Sequence, residues 1–260
     1  MIIDCHAHLG WWFFPIRQEN AADLIPIMDK WKIDKAIFSS VRAIMEDCRD
    51  ANKQIAAWIS QYPDRMYGYI TLNPHYPEIW KRDLETYTEN PQFVGVKLHA
   101  AWHSCPINSK PYASIFKWCE EMKLPILAHS YDPTPDNMSP SAPERLARVA
   151  QERDVQIVMG HMGGNPIRGI KACASSGPNL SLEISAGREN AGQHYAWDLL
   201  RVRRAIDALG PERVLFGSDM PLVDPAICFG AIKDSELTPE EHDLVMWKNA
   251  ARIFGVCSHV

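Results

Sequence analysis

The sequence lacks the features that mark membrane, secreted and nucleic-acid-binding proteins. No apolar stretch approaches the roughly 18 residues that suggest a membrane span. The N-terminus runs directly into a predicted strand, without the basic and apolar regions of a signal peptide. Lysine and arginine form no long run, and the formal net charge is −5. We therefore expect a cytoplasmic protein that acts on a small molecule, with neither nucleic acid nor a membrane as its partner.

The cysteine and glycine patterns exclude two further classes of protein. The seven cysteines are an odd number and contain no C-x-x-C pair, so neither a disulfide framework nor a zinc knuckle is indicated. The stretch GHMGGNP at 160–166 is rich in glycine, but it does not match the G-x-G-x-x-G fingerprint of dinucleotide-binding sheets. We expect reduced thiols and no dinucleotide cofactor.

Eight short apolar, β-branched segments recur along the chain, and stretches of helical periodicity separate them. The predicted strands cover 2–6, 35–41, 66–72, 93–99, 125–130, 155–161, 180–185 and 214–219. Strand–helix alternation with short connections predicts a parallel sheet. Eight such units in 260 residues favour a closed barrel, so we predict a single (β/α)₈ barrel that forms one domain, residues 1–260. A helix with Thr238 as its N-cap and Gly255 past its end is predicted to close the chain.

Histidines and charged residues fall at the carboxyl ends of several predicted strands. His6 ends the first strand and His8 follows at i+2, the spacing at which side chains share one face of a strand. Later strand ends carry Lys97, His99, His129, His161 and Asp219. Because these ends meet at one face of a barrel, we expect a ring of imidazoles with one carboxylate. Three neutral imidazoles and a carboxylate suit Zn²⁺ or a similar divalent ion and leave a position for water or substrate.

Five of these segments, taken in order, resemble the amidohydrolase superfamily. They are DCHAH, GVKLH, LAHS, GHMGG and LFGSDMP. More narrowly, they resemble the amidohydrolase-2 group, which contains aminocarboxymuconate-semialdehyde decarboxylase, resorcylate decarboxylases and related hydrolases. The terminal WKNAARIFG is also similar to the closing helix of that group. The resemblance spans almost the whole chain and implies the barrel that the strand pattern predicts.

The resemblance also implies the roles of the site residues. It implies one divalent metal ion bound by His6, His8, His129 and Asp219. It makes His161 and Asp219 catalytic, with both moving a proton beside the ion. Zinc is the ion that we predict, with Mn²⁺ and Fe²⁺ as alternatives.

The resemblance leaves the reaction open among three functions. We expect metal-dependent hydrolysis of a small, carboxylated or cyclic substrate by a metal-activated water. A non-oxidative decarboxylase of a small aromatic or dienoic acid is the first alternative, because it needs the same ligands. A catalytically silent barrel that acts as a binding protein is the second alternative.

Four further residues are predicted to bind substrate: Trp11, Lys97, His99 and Arg188. Lys97 lies where one branch of the superfamily has a carbamylated lysine that bridges two metals. Lys97 suits two other roles equally well, as a cation that binds an acidic substrate or as an ion-pair partner of Asp4. We predict a single metal ion at the site and an unmodified Lys97. Arg188 suits a substrate carboxylate or is an ordinary surface arginine. Trp11 either lines a substrate pocket or lies in a subunit interface. The sequence therefore leaves open whether the protein forms a homo-oligomer.

Overall fold

Eight parallel strands and the helices between them form the described part of the chain. This computed structural model describes residues 1–12, 16–45, 48–131, 139–185 and 200–256. The strands pair in chain order, each with the next. They are β1 (Ile3–Leu9), β2 (Lys35–Ser40), β3 (Met66–Thr71), β4 (Phe93–Leu98), β5 (Ile126–Ala128), β6 (Ile157–Met159), β7 (Leu180–Glu183) and β8 (Val214–Leu215).

Backbone hydrogen bonds between the end of β8 and β1 complete the ring. The N–H of Asp219 donates to the carbonyl of His6 at 2.8 Å, and the N–H of His8 donates to the carbonyl of Met220 at 2.8 Å. This closure confirms the predicted (β/α)₈ barrel. It also places Asp219 beside both histidines of β1, although more than 200 residues separate them in sequence.

Helices cover the outside of the barrel. In the described ranges they are α1 (Ala21–Trp31), α2 (Val41–Met45), α3 (Ala51–Ile59), α4 (Pro77–Tyr87), α5 (Lys110–Met122), α6 (Pro143–Glu152), α7 (Pro166–Ala174), α8 (Arg201–Leu209), α9 (Ala226–Asp234), α10 (Pro239–Asp243) and α11 (Asn249–Phe254). α1, for example, buries a stripe of apolar side chains, Ala21, Leu24 and Met28. Across the described residues, none of these helices combines the length and the apolar character that crossing a bilayer requires.

Apolar side chains fill the barrel interior toward the amino ends of the strands. This inner cluster comprises Ile3, Cys5, Ile37, Tyr69, Leu127, Val158 and Leu215. Phe254 of α11 and Val256 pack against it and cover that end of the barrel. Because this end is packed with apolar side chains, polar chemistry is confined to the opposite end, where the strands finish.

The C-terminal segment confirms its predicted start and end but is not one uniform helix. The Thr238 hydroxyl accepts the N–H of Glu241, whose carboxylate accepts the N–H of Thr238, so the capping box is complete. Gly255 follows the last helix with φ 68°. Between α10 and α11 lies a π-helical turn, Leu244–Lys248. A carbonyl of this turn accepts the N–H of Phe216 at 2.9 Å and so ties the segment to the end of β8.

Several strands end at other residues than the sequence predicts. β5, β6 and β8 stop before His129, His161 and Asp219, respectively. The backbone of His161 has φ 55° and that of Asp219 has φ 63°, in the left-handed region that cannot continue a strand. β1 runs on to Leu9 and therefore includes His8. The two left-handed residues, His161 and Asp219, lie two and four positions past the ends of β6 and β8, respectively.

β1 carries an irregularity beside the site. Its register with β2 shifts between Asp4 and Ala7, so two residues of β1 lie opposite one residue of β2. Bulges of this kind redirect side chains next to functional sites. His6 and His8 still face the same site, as their i+2 spacing predicts.

Candidate metal centre

His6, His8 and Asp219 form a buried cluster at the junction of β1 and β8. Nε2 of His8 lies 2.9 Å from Oδ1 of Asp219, and Nε2 of His6 lies 3.6 Å from the same oxygen. Each residue offers a ligand atom within 4.8 Å of the others. Within the described chain, Oδ1 of Asp219 has no hydrogen-bond partner. A buried carboxylate oxygen between two imidazole nitrogens is an environment that a divalent cation satisfies.

The other ring nitrogens of the two histidines are held by hydrogen bonds. Nδ1 of His6 lies 2.9 Å from Oε1 of Glu183, and Nδ1 of His8 lies 2.9 Å from the hydroxyl of Ser39. Because an ionised carboxylate only accepts hydrogen bonds, His6 carries its proton on Nδ1 and presents a lone pair at Nε2. Metal-binding histidines are oriented in this way by carboxylates behind them. The residues present therefore fit a divalent ion.

Burial sets the charge state of the cluster. It lowers the pKa of His6 and the pKa of His8 well below their ordinary values, and the Lys97 ammonium acts in the same direction. Burial raises the pKa of Asp219 to about 6, while His161 and Lys97 oppose that shift. The imidazoles are thus neutral, which is the form that binds metal. Asp219 titrates close to the range in which a carboxyl group both accepts and returns a proton.

His129 and His161 face each other at the ends of β5 and β6. Nδ1 of His129 lies 3.1 Å from Nε2 of His161, and Nδ1 of His161 lies 2.9 Å from the Ser185 hydroxyl. The ring of His99 stacks on that of His129, with centroids 3.7 Å apart. Among the described residues, neither cluster of three potential ligands includes His129. Its role as the fourth ligand stays a prediction.

Glu183, at the end of β7, was not predicted from the sequence. Its carboxylate is fully buried and accepts hydrogen bonds from Nδ1 of His6 and from the N–H of His161. These three residues form a second cluster of potential ligands. Because the carboxylate is already occupied by donors, it suits holding the histidines rather than binding an ion. A single charged residue inside the predicted strand LSLEIS is the signal that points to it.

Lys97 enters the same site from β4. Its side chain is fully buried, and Nζ donates a hydrogen bond to Nε2 of His6 at 2.7 Å. Burial lowers the pKa of Lys97 to about 8, and the carboxylate of Asp219 opposes the shift. Asp4, the other predicted partner of Lys97, instead accepts hydrogen bonds from the N–H and hydroxyl of Ser218. The lysine therefore adds a cation directly at the cluster.

The remaining predicted substrate residues lie farther from the cluster or outside the described chain. Trp12, rather than Trp11, packs edge-on against His8, with ring centroids 5.7 Å apart. Trp11 is 54% exposed and lines a surface cleft with Trp58. Arg188 lies outside the described residues. Of the four predicted substrate residues, Lys97 and His99 lie among the histidines of the site.

A family model and several solved structures match nearly the whole chain. The model of the amidohydrolase-2 family, described as Amidohydrolase, matches residues 3–256. An amidohydrolase from Burkholderia multivorans with bound zinc is 16% identical, with a TM-score of 0.77, 98% of this chain covered and 99% of that chain. A dihydroxybenzoic acid decarboxylase from Polaromonas sp. JS666, with bound manganese and the inhibitor 2-nitroresorcinol, is 18% identical, with a TM-score of 0.73, 98% of this chain covered and 97% of that chain.

A third similar structure is a candidate 2-pyrone-4,6-dicarboxylic acid hydrolase from Pseudomonas putida. It is 16% identical, with a TM-score of 0.73, and the match covers 98% of each chain. At such identities these structures show a shared fold. Two of them hold a metal ion, which is zinc in one and manganese in the other.

Proposed function

The chain belongs to the amidohydrolase family, and from that premise we propose that it is a metal-dependent hydrolase of a small, carboxylated or cyclic substrate. The observation that carries this proposal is the buried Oδ1 of Asp219. It lies 2.9 Å from Nε2 of His8 and 3.6 Å from Nε2 of His6, and it has no hydrogen-bond partner in the described part of the chain. We propose one divalent ion at this point, with zinc preferred, and His129 as a fourth ligand.

The proposed reaction assigns a proton-transfer role to two residues. When bound, the ion supplies Lewis acidity that lowers the pKa of a water and polarises a carbonyl. With the ion held beside it, the Asp219 carboxylate would accept a proton from the attacking water and return it to the leaving group. His161, whose ring centroid lies 4.8 Å from that of His6, is the second proton-transfer residue of the proposal.

The cation of Lys97 supports an anionic substrate. A buried ammonium is costly unless an anion compensates it, and Lys97 is fully buried beside the cluster. A substrate carboxylate placed against Nζ would supply that compensation. We propose Lys97 and His99 as substrate contacts within the site, and Trp11 and Arg188 stay predicted substrate contacts.

Non-oxidative decarboxylation is the second candidate function. The observation in its favour is the same Lys97 ammonium, which lies 2.7 Å from Nε2 of His6 and would hold a substrate carboxylate next to the ion. Both reactions need the same ligands, so the products must separate them. Release of CO₂ identifies a decarboxylase, and release of a new carboxylic acid with consumption of water identifies a hydrolase.

The test is a panel of lactones, amides and hydroxybenzoates assayed with the zinc-loaded and the manganese-loaded protein. We expect turnover of a carboxylated lactone or amide, loss of turnover in Asp219→Asn, and a severe fall of kcat in His161→Asn with metal content retained. Asp219→Asn keeps the size of the side chain but removes its charge and its proton acceptor. Near-normal activity of metal-loaded Asp219→Asn would contradict the assigned role of this carboxylate.

A further inference from the structure

The carboxylate of Glu183 receives four hydrogen bonds. Oε1 accepts from Nδ1 of His6 at 2.9 Å, from the Ser185 hydroxyl at 2.7 Å and from the N–H of His161. Oε2 accepts from the N–H of Ser185 at 2.6 Å. An ionised carboxylate has about four acceptor positions, so this group is saturated with donors. A glutamine here would turn an N–H₂ group toward at least one of them.

The direction of these hydrogen bonds fixes the tautomer of His161. The Ser185 hydroxyl has one proton, and it points to Glu183 because the carboxylate has none to give. Ser185 Oγ therefore accepts from Nδ1 of His161 at 2.9 Å. With its proton on Nδ1, His161 has a lone pair on Nε2, which accepts from Nδ1 of His129 at 3.1 Å. A directed chain thus runs from His129 through His161 and Ser185 to Glu183.

A second branch fixes the tautomer of His6. Nδ1 of His6 donates to Glu183, and the Lys97 ammonium, which can only donate, lies 2.7 Å from Nε2. Two independent contacts therefore assign the proton of His6 to Nδ1. Both branches end with a lone pair on Nε2, at His6 and at His129.

We propose that Glu183 and Ser185 are positioning residues that set which ring nitrogen carries the proton in His6, His129 and His161. Glu183 controls both branches, and Ser185 controls only the branch through His161. The consequence for metal binding rests on the proposed function, because the lone pairs on Nε2 of His6 and His129 serve as ligands there. The tautomers themselves are a property of the chain and are measurable without any ion.

The experiment is ¹⁵N NMR of the histidine ring nitrogens in the full chain at neutral pH in the presence of a chelator. His6→Gln and His161→Gln variants assign the signals. We expect the Nδ1–H form for both residues in the wild type. Ser185→Ala should change the signal of His161 and leave that of His6, whereas Glu183→Gln should change both. Ser181→Ala is the matched control, since Ser181 lies on β7, the strand that carries Glu183, but its hydroxyl contacts Gln156.

Zinc affinity, measured by competition with a chromophoric chelator, is the second measurement. Glu183→Gln should weaken binding about 10- to 100-fold, the usual effect of removing a partner behind a ligand. Ser181→Ala should not change it. An Nε2–H form of His161 or His6 in the wild type, or an unchanged His161 signal in Ser185→Ala, would overturn the positioning role. If Glu183→Gln does not fold, the wild-type and Ser185→Ala spectra decide.

The two proposals fail in different ways. A wild-type protein with both Nδ1–H tautomers that binds no divalent ion would contradict the proposed function and support the positioning role. A protein that binds zinc tightly but holds His161 in the Nε2–H form would overturn the positioning role and leave the proposed function standing.

Discussion

Replacing Gly217 by alanine should damage the candidate centre without changing any proposed ligand. Gly217 follows β8 and lies two residues before Asp219. A Cβ at this position would lie 2.5 Å from Oε2 of Glu183 and 3.0 Å from Cβ of His6. Both distances are too short for van der Waals contact, so the glutamate or the strand ends must move. Because four hydrogen bonds hold the Glu183 carboxylate, it cannot turn aside freely.

The expected loss of stability follows from two effects. Overpacking of a buried position costs about 1–3 kcal/mol. Moving Oε2 away from the Ser185 N–H breaks a hydrogen bond to a charged group, which contributes roughly 1.5–3 kcal/mol. Alanine also lowers the conformational entropy of the unfolded chain, which stabilises the folded protein by about 0.4–1 kcal/mol. The free energy of unfolding of Gly217→Ala should therefore fall by about 2–5 kcal/mol.

Urea unfolding in the presence of a chelator measures this loss apart from any metal effect. The matched control is Gly230→Ala within α9, where an added Cβ meets no atom within 4 Å. That variant should gain up to about 1 kcal/mol, because alanine forms helix better than glycine. Zinc affinity should fall in Gly217→Ala and stay unchanged in the control. If Gly217→Ala unfolds like the wild type and binds zinc equally well, the assigned packing of Glu183 is wrong.

Three further predictions concern the lysine, the metal count and acid stability. Lys97→Met should raise zinc affinity, because it removes an ammonium that lies 2.7 Å from Nε2 of His6. Steady-state kinetics of the same variant should show a higher KM for a carboxylated substrate. Protein purified with bicarbonate and excess zinc should contain one ion per chain; two ions, falling to one in Lys97→Ala, would contradict the single-ion site. Burial lowers the pKa of His103 from 6.5 to about 4, so between these values the unfolded chain binds more protons than the folded one. Acidification through this window should cost up to about 3 kcal/mol, and urea titrations of His103→Phe should lack that part of the loss.

The fold could be predicted because the sequence repeats one local pattern eight times. Apolar β-branched runs separated by amphipathic stretches leave few arrangements besides a parallel barrel, and all eight predicted strands are present in order. The strand ends could not be placed, because they depend on tertiary contacts. His161 and Asp219 have left-handed backbones past the ends of β6 and β8, a conformation that the packing around them stabilises and that periodicity does not report.

The site could be predicted only as far as residue type and strand-end position carry information. His6, His8 and Asp219 are residues of metal-binding type at strand ends, and the closed barrel brings them together. Glu183 has a comparable position at the end of β7, but its role depends on which donors its carboxylate accepts from, and periodicity does not report those partners. The contacts of Lys97 likewise follow from burial, which brings its ammonium to His6 rather than to Asp4.

The glycine of LFGSD and the glutamate of LSLEIS are parts of one arrangement. In the barrel, β8 lies between β7, which carries Glu183, and β1, which carries His6. The Glu183 carboxylate must pass over β8 to reach Nδ1 of His6 at 2.9 Å. Any side chain at Gly217 would occupy that path, since even a Cβ would lie 2.5 Å from Oε2. Because Gly217 has no side chain, Glu183 of β7 can accept a hydrogen bond from His6 of β1, two strands away. The orientation of His6 therefore depends on Gly217 as much as on Glu183.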